Sequence, residues 1–162
     1  MDIIKKRGGT VINKWLFILA VLVSVCLMGC SNVNLPGGKP PKVFIEVGDE
    51  TYPTILGTYC WKDTCVDTAG PIEMLSGTET IKVKPGETIS FVLDYKPQPS
   101  ETHLSEFREN QVSVEIELKD NQFTAPTQKG IYYYSYGVWW MDEKREHVSN
   151  GDAFYAFALE VN

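Results

Sequence analysis

From Lys42 to the C-terminus, apolar side chains recur at every second position and not at every third or fourth, a spacing that confines the chain to strands. Residues 111–119 show it most cleanly, with Val112, Val114, Ile116 and Leu118 alternating with Ser113, Glu115, Glu117 and Lys119. Val43, Ile45 and Val47 alternate in the same way, as do Ile81 and Val83 ahead of a Pro85-Gly86 turn. Ile89, Phe91, Leu93 and Tyr95 share one face, and Tyr155, Phe157, Leu159 and Val161 form a last inward row with small Ala156 and Ala158 between them. Ile131 to Met141 is aromatic and β-branched, so its propensity also says strand. Asn150-Gly151 reads as a hairpin turn because both residues tolerate positive φ. Helix signals are thin. Residues 100–110 could make one or two turns behind a Ser100 cap, and 71–76 is either a helical turn or a strand. The expectation is an all-β fold, a mostly antiparallel β-sandwich of seven to nine strands over residues 42–162, with no internal repeat.

The first thirty residues follow another rule. Lys5, Lys6, Arg7 and Lys14 precede an apolar run from Trp15 that closes with Leu27-Met28-Gly29-Cys30. This order resembles the signal peptide and lipobox of bacterial lipoproteins, which implies cleavage after residue 29 and a diacylglyceryl group, with palmitate-type chains, on Cys30. The competing reading is an uncleaved anchor. At a rise of about 1.5 Å per residue, however, the run spans only ~22 Å, short of a hydrocarbon core of ~30 Å. Two acyl chains give stable anchoring where one does not. Residues 30–41, with Pro36, Gly37, Gly38, Pro40 and Pro41, then read as lipidated Cys and flexible tether.

Charge narrows the partners. Of 15 basic and 21 acidic side chains, four basic ones and Asp2 lie in the leader, so the mature side chains carry −9. Nucleic acid and anionic headgroups repel such a surface, leaving lipidated Cys30 as the expected membrane attachment. Cys26 falls in the leader, which leaves Cys60 and Cys65. Their spacing is not C-x-x-C, and with no histidine nearby they do not complete a zinc site; a disulfide is the simplest outcome outside the membrane. It would pin a hairpin across Trp61-Lys62-Asp63-Thr64.

Gly57-Thr58-Tyr59-Cys60-Trp61, Cys65-Val66-Asp67, Gly70-Pro71 and residues 81–87 resemble a small group of uncharacterised lipoproteins of Bacillus and related Gram-positive bacteria. The likeness spans roughly residues 42–161, and YCW-x3-C-VD is its most specific part. It implies a location on the outer face of the cytoplasmic membrane and an immunoglobulin-like sandwich, but the two cysteines stand too close to bridge sheets as they do in antibody domains. No activity comes with it.

Candidate chemistry is sparse. In the aromatic strand, Tyr132, Tyr134, Tyr136 and Trp140 share a face with Val138, opposite Ile131, Tyr133, Ser135, Gly137 and Trp139. One row must be core. The other is either covered, for instance by residues 96–110, or free to stack on a sugar or a partner. The candidate binding face is Tyr132, Tyr134, Tyr136 and Trp140, with Gly137 thinning the backbone cover. Asp142, Glu143 and Glu146 alternate with Lys144 and Arg145 as a solvated tip would, without calcium-loop spacing. His103 and His147 have no evident nucleophile or metal partner, and no hydrolase or phosphate-loop motif is present. The expectation is a non-catalytic binding or scaffold module for an envelope protein or glycan, needing no cofactor or metal. The alternative is an inhibitor or regulator of an extracellular protease or signalling protein.

Overall fold

In the computed structural model, which describes residues 35–108 and 112–162, the alternating segments become eleven strands in two sheets. Residues 1–29, Cys30 and the beginning of the tether lie outside the described residues. The smaller sheet joins β1 (Phe44–Val47), β2 (Glu50–Pro53), β6 (Thr88–Val92) and β9 (Gln122–Thr124) in the order β2-β1-β6-β9. The larger holds β3 (Ile55–Trp61), β4 (Thr64–Val66), β5 (Ile81–Val83), β7 (Glu101–Phe107), β8 (Val114–Ile116), β10 (Gly130–Met141) and β11 (Ser149–Val161), in the order β4-β3-β11-β10-β7-β8. All pairings are antiparallel except one. β5 runs parallel to β11, taking over the edge that β3 leaves near Ala156. The strand count exceeds seven to nine because β2, β4, β5, β8 and β9 are only three or four residues long.

The two sheets share one core. Ile45, Ile89, Phe91 and Phe123 from the smaller sheet meet Trp61, Leu104, Tyr134, Tyr136, Tyr155, Phe157 and Leu159 from the larger. The last inward row is placed as its alternation predicts, with Tyr155, Phe157, Leu159 and Val161 all buried. Ala156 and Ala158 are buried too, but on the opposite face, beneath the helical turn α1 (Pro71–Met74) and Leu75. Pro71 suits the first turn because it has no N–H to leave unbonded, and Gly70 and Pro71 carbonyls accept from Met74 and Leu75 N–H at 3.0 Å.

Three local expectations change. Residues 101–107 are strand β7 and not a helix, because the long edge of β10 pairs with them along their whole length and draws Leu104 into the core. Asn150-Gly151 lies inside β11, and the hairpin turns earlier in the chain, where Asp142 N–H donates to the Val148 carbonyl at 2.7 Å. Gly151 serves packing instead: a methyl group there would stand 2.6 Å from Leu35 Cδ1 and 2.9 Å from Trp61 Cε3. Residues 35–41, read as the far part of a flexible tether, form a strap on the domain. Leu35 is buried, Trp61 Nε1 donates to the Gly37 carbonyl at 3.3 Å, Tyr95 to Pro36 at 2.9 Å, and Tyr155 to Pro41 at 2.6 Å.

Candidate functional site

Tyr132, Tyr134, Tyr136 and Trp140, the row expected as a binding face, point into the sandwich, and none is more than 3% exposed. They are core. The smaller sheet supplies what alternation alone does not show: Phe91 stacks on Tyr136 with centroids 3.9 Å apart, and Phe123 lies 5.2 Å from Tyr134. Every polar tip in the row is satisfied. Tyr132 donates to the Gln128 carbonyl (2.7 Å), Tyr134 to Glu106 Oε2 (3.1 Å), Tyr136 to Asn121 Oδ1 (3.0 Å) and Trp140 Nε1 to the Pro97 carbonyl (2.8 Å). A buried hydroxyl without such a partner would be costly, so the donors fix loops onto the core. Burial pushes the Tyr136 phenol up to about 12 and raises Tyr134 and Tyr155 as well. Gly137, on the opposite row, is covered by its neighbour, since a methyl there would meet Trp139 Cη2 at 2.5 Å.

The accessible chemistry lies on the other face of the larger sheet. There Trp139 meets His103 and Phe154 edge-on at 5.3 and 5.2 Å, and small residues then open a recess. Ser135 in β10 pairs with Ala156 in β11. In β3, Gly57 and Thr58 together oppose Phe154, between the pairs Tyr59–Ala153 and Leu56–Tyr155, which makes a β-bulge. Gly57, Ser135 and Ala156 form the floor, while Phe107, Phe154, Pro71 and Met74 stand around it. The recess holds about 330 Å³, near the lower end of the ~300–1,000 Å³ common for ligand sites.

A polar latch holds the rim. Thr58 Oγ1 donates to Asp67 Oδ1 at 3.1 Å and lies 3.2 Å from Thr68 Oγ1, while Thr68 N–H donates to Thr58 Oγ1 at 3.1 Å. The Thr68 hydroxyl also approaches Met74 Sδ at 3.3 Å. These contacts fix residues 67–70 and α1 against the sheet, so the recess is a formed feature of the rim. A methyl at Gly57 would reach van der Waals contact with Met74 and Thr68 at 3.4 Å, so anything larger would close the floor.

Two larger hollows, of about 540 and 510 Å³, lie elsewhere on the domain. The first lies beside the strap, among residues 39–44, Pro53, Thr54 and Leu56, where the Tyr155 hydroxyl already bonds Pro41. Charged side chains, among them Asp49, Glu50, Lys82, Lys84 and Glu87, line the second.

The remaining sequence candidates are scattered. Cys60 and Cys65 face each other across the β3–β4 hairpin and are disulfide-bonded, with Lys62 left-handed in the turn (φ 57°). Asp142 accepts from the Lys144 and Arg145 backbone and from the Arg145 guanidinium, which holds its carboxyl below the ordinary range. Burial raises the Asp152 carboxyl beside Cys60, against weaker hydrogen bonds from the Cys60 backbone and Ser149. His103 contacts Glu115 at 2.8 Å, and His147 sits in the 142–148 tip. Among the described residues, no three His, Cys, Asp or Glu side chains converge on one point, and no helix is long and apolar enough to cross a membrane.

Sequence reasoning passed over the recess. Its one sequence signal is Gly57 inside a strand, together with the small residues Ser135 and Ala156 set within aromatic rows. No protein-family model matches the chain, and neither a curated protein nor a solved structure is similar to it.

Proposed function

We propose that the chain is a lipid-anchored, extracellular, non-catalytic binding module for a cell-envelope component, built on an immunoglobulin-like sandwich. The observation that carries this reading is the recess over Gly57, Ser135 and Ala156: an apolar, latched cavity on the solvent side of a rigid sheet. Its volume suits one or two apolar side chains. The hydroxyls at its rim, Thr58 and Thr68, already bond one another and Asp67, so few groups are left to read a sugar. That favours a protein over a glycan as the component held. The anchoring part rests on the basic segment, the apolar run and Gly29-Cys30, and on the likeness to Gram-positive lipoproteins. Gly57-Thr58 and Gly70-Pro71, which carry part of that likeness, also line the recess. With residues 35–41 packed on the domain, a lipid on Cys30 would leave a tether of four residues, 31–34.

Two experiments test the proposal. Radiolabelled fatty acid should enter the wild type and not Cys30→Ala; label kept by the variant would remove the anchor. Cross-linking in intact envelopes should join the full chain to a partner that Ser135→Leu, which fills the recess, no longer captures. An unchanged set of partners would remove the site.

A further inference from the structure

A β-sandwich whose sheets do not close has open edges, and natural proteins blunt them with short strands, proline, bulges or covalent ties. The edges here divide unequally. β2 is four residues long and ends in Pro53. β9 is three residues long, preceded by left-handed Asp120 and Asn121 (φ 50° and 62°) and followed by Pro126. β4 is held to its neighbour by the Cys60–Cys65 disulfide, and β5, three residues long, runs on into Pro85. β8 is as short, at three residues, but has neither proline nor a covalent tie. Among the described residues it is the outermost strand beyond β7, and Val114 within it and Val112 just before it stand 57% and 88% exposed.

The side chains of this edge have a clear order. Ile116 opposite Leu104 and Val114 opposite Glu106 belong to the core-facing row. Glu115, opposite Ser105 and 2.8 Å from His103 Nδ1, lies on the outer face with Glu117, and both are exposed. An added strand would therefore meet apolar neighbours on one face and carboxylates on the other.

We propose that β8 accepts a strand from a partner protein: an extended segment in which small apolar residues alternate with Lys or Arg. Its backbone continues the sheet past Val114–Ile116, its apolar residues cover Val112 and Val114, and its cations lie beside Glu115 and Glu117. A second copy of this chain fits poorly. An antiparallel pairing centred on Glu115 sets Glu115 against Glu115, one centred on Ile116 sets Glu115 against Glu117, and like charges directly opposite are destabilising. Because Ser105 links Glu115 to Ser135 across the sheet, the added strand would flank the face that carries the recess without filling it.

The test uses the full chain in non-ionic detergent and a fluorescent ten-residue peptide of alternating Val and Lys. Four results are expected. Anisotropy titration shows saturable binding, at least about tenfold tighter than for a peptide of the same composition with Val and Lys in separate blocks. Glu115→Lys/Glu117→Lys weakens it by about tenfold or more and gains affinity for the matching Val/Glu peptide. Amide hydrogen exchange slows over residues 113–117, and Ser135→Leu leaves binding unchanged. No binding, equal binding of the block peptide, indifference to the charge reversal, or protection only around Gly57 and Ala156 would each overturn the proposal. Loss of capture by Ser135→Leu in envelopes with peptide binding intact separates the recess from the edge.

Discussion

Strand β10 carries two rows of side chains that look alike on paper and behave differently in the fold. On one side, Tyr132, Tyr134, Tyr136, Val138 and Trp140 are buried, stacked against a second sheet and tied by their polar tips to four separate backbone or side-chain acceptors. Opposite them, Tyr133, Ser135 and Trp139 are only partly covered, by one helical turn and by their own neighbours. Both rows hold rings of similar size. The difference teaches that an aromatic stripe becomes core or surface according to the layer above it, and that a site opens where this layer is incomplete.

The comparison breaks first on truncation. Tyr134→Ala and Trp140→Ala should each cost about 3–5 kcal/mol in denaturant unfolding, whereas Tyr133→Ala should cost about 1–2 kcal/mol. Equal losses would make the outer face a second core. At the edge of that face, replacing both Cys60 and Cys65 with Ala should cost about 2 kcal/mol, since the six-residue ring removes little chain entropy; mass spectrometry without reduction should show the bridge in the wild type. Gly137→Ala should cost about 1 kcal/mol, the low end for overpacking, because the obstructing atom is the far end of the Trp139 ring and the ring can swing outward. Tryptophan fluorescence should report that swing. Ser135→Leu should change stability by no more than about 0.5 kcal/mol while abolishing partner capture.

The smallest effect is a pH dependence on the same outer face. Burial raises the Asp152 carboxyl above its ordinary value, so its contribution to stability is complete below the unfolded value of about 3.9 and is lost as pH rises through the folded value. Asp152→Asn should therefore gain on the wild type as pH rises above about 4 when Tm values are compared at each pH. Asp142, lowered by Arg145, works in the opposite sense but is present in both proteins and cancels. A difference in Tm that stays constant with pH would show that Asp152 titrates as freely as in the unfolded chain.

Much of the architecture was legible in the sequence, for a local reason. Alternation in residues 43–47, 89–95 and 155–161 reflects the two-residue repeat of a strand, which holds wherever one face is buried. The Cys60–Cys65 hairpin was legible because five residues of separation leave almost no other geometry. Residues 101–107 were misread because their apolar positions suit a turn of helix as well as a strand. The β10 edge decides between the two by offering seven paired residues. Asn150-Gly151 was misread because glycine answers two needs, positive φ and absence of a side chain, and only the positions of Leu35 and Trp61 show which applies.

The sequence by itself determined that most of this chain forms strands, which residues share a face in the strands that alternate, and which two cysteines meet. All three follow from backbone geometry within a few residues. Tertiary structure alone decided which face of β10 is inside, that residues 35–41 pack on the domain, and that Gly57, Ser135 and Ala156 from three strands share one floor. Those outcomes depend on which distant segments cover each surface. Burial is a property of a pair of surfaces, and the sequence of one strand describes only one of them.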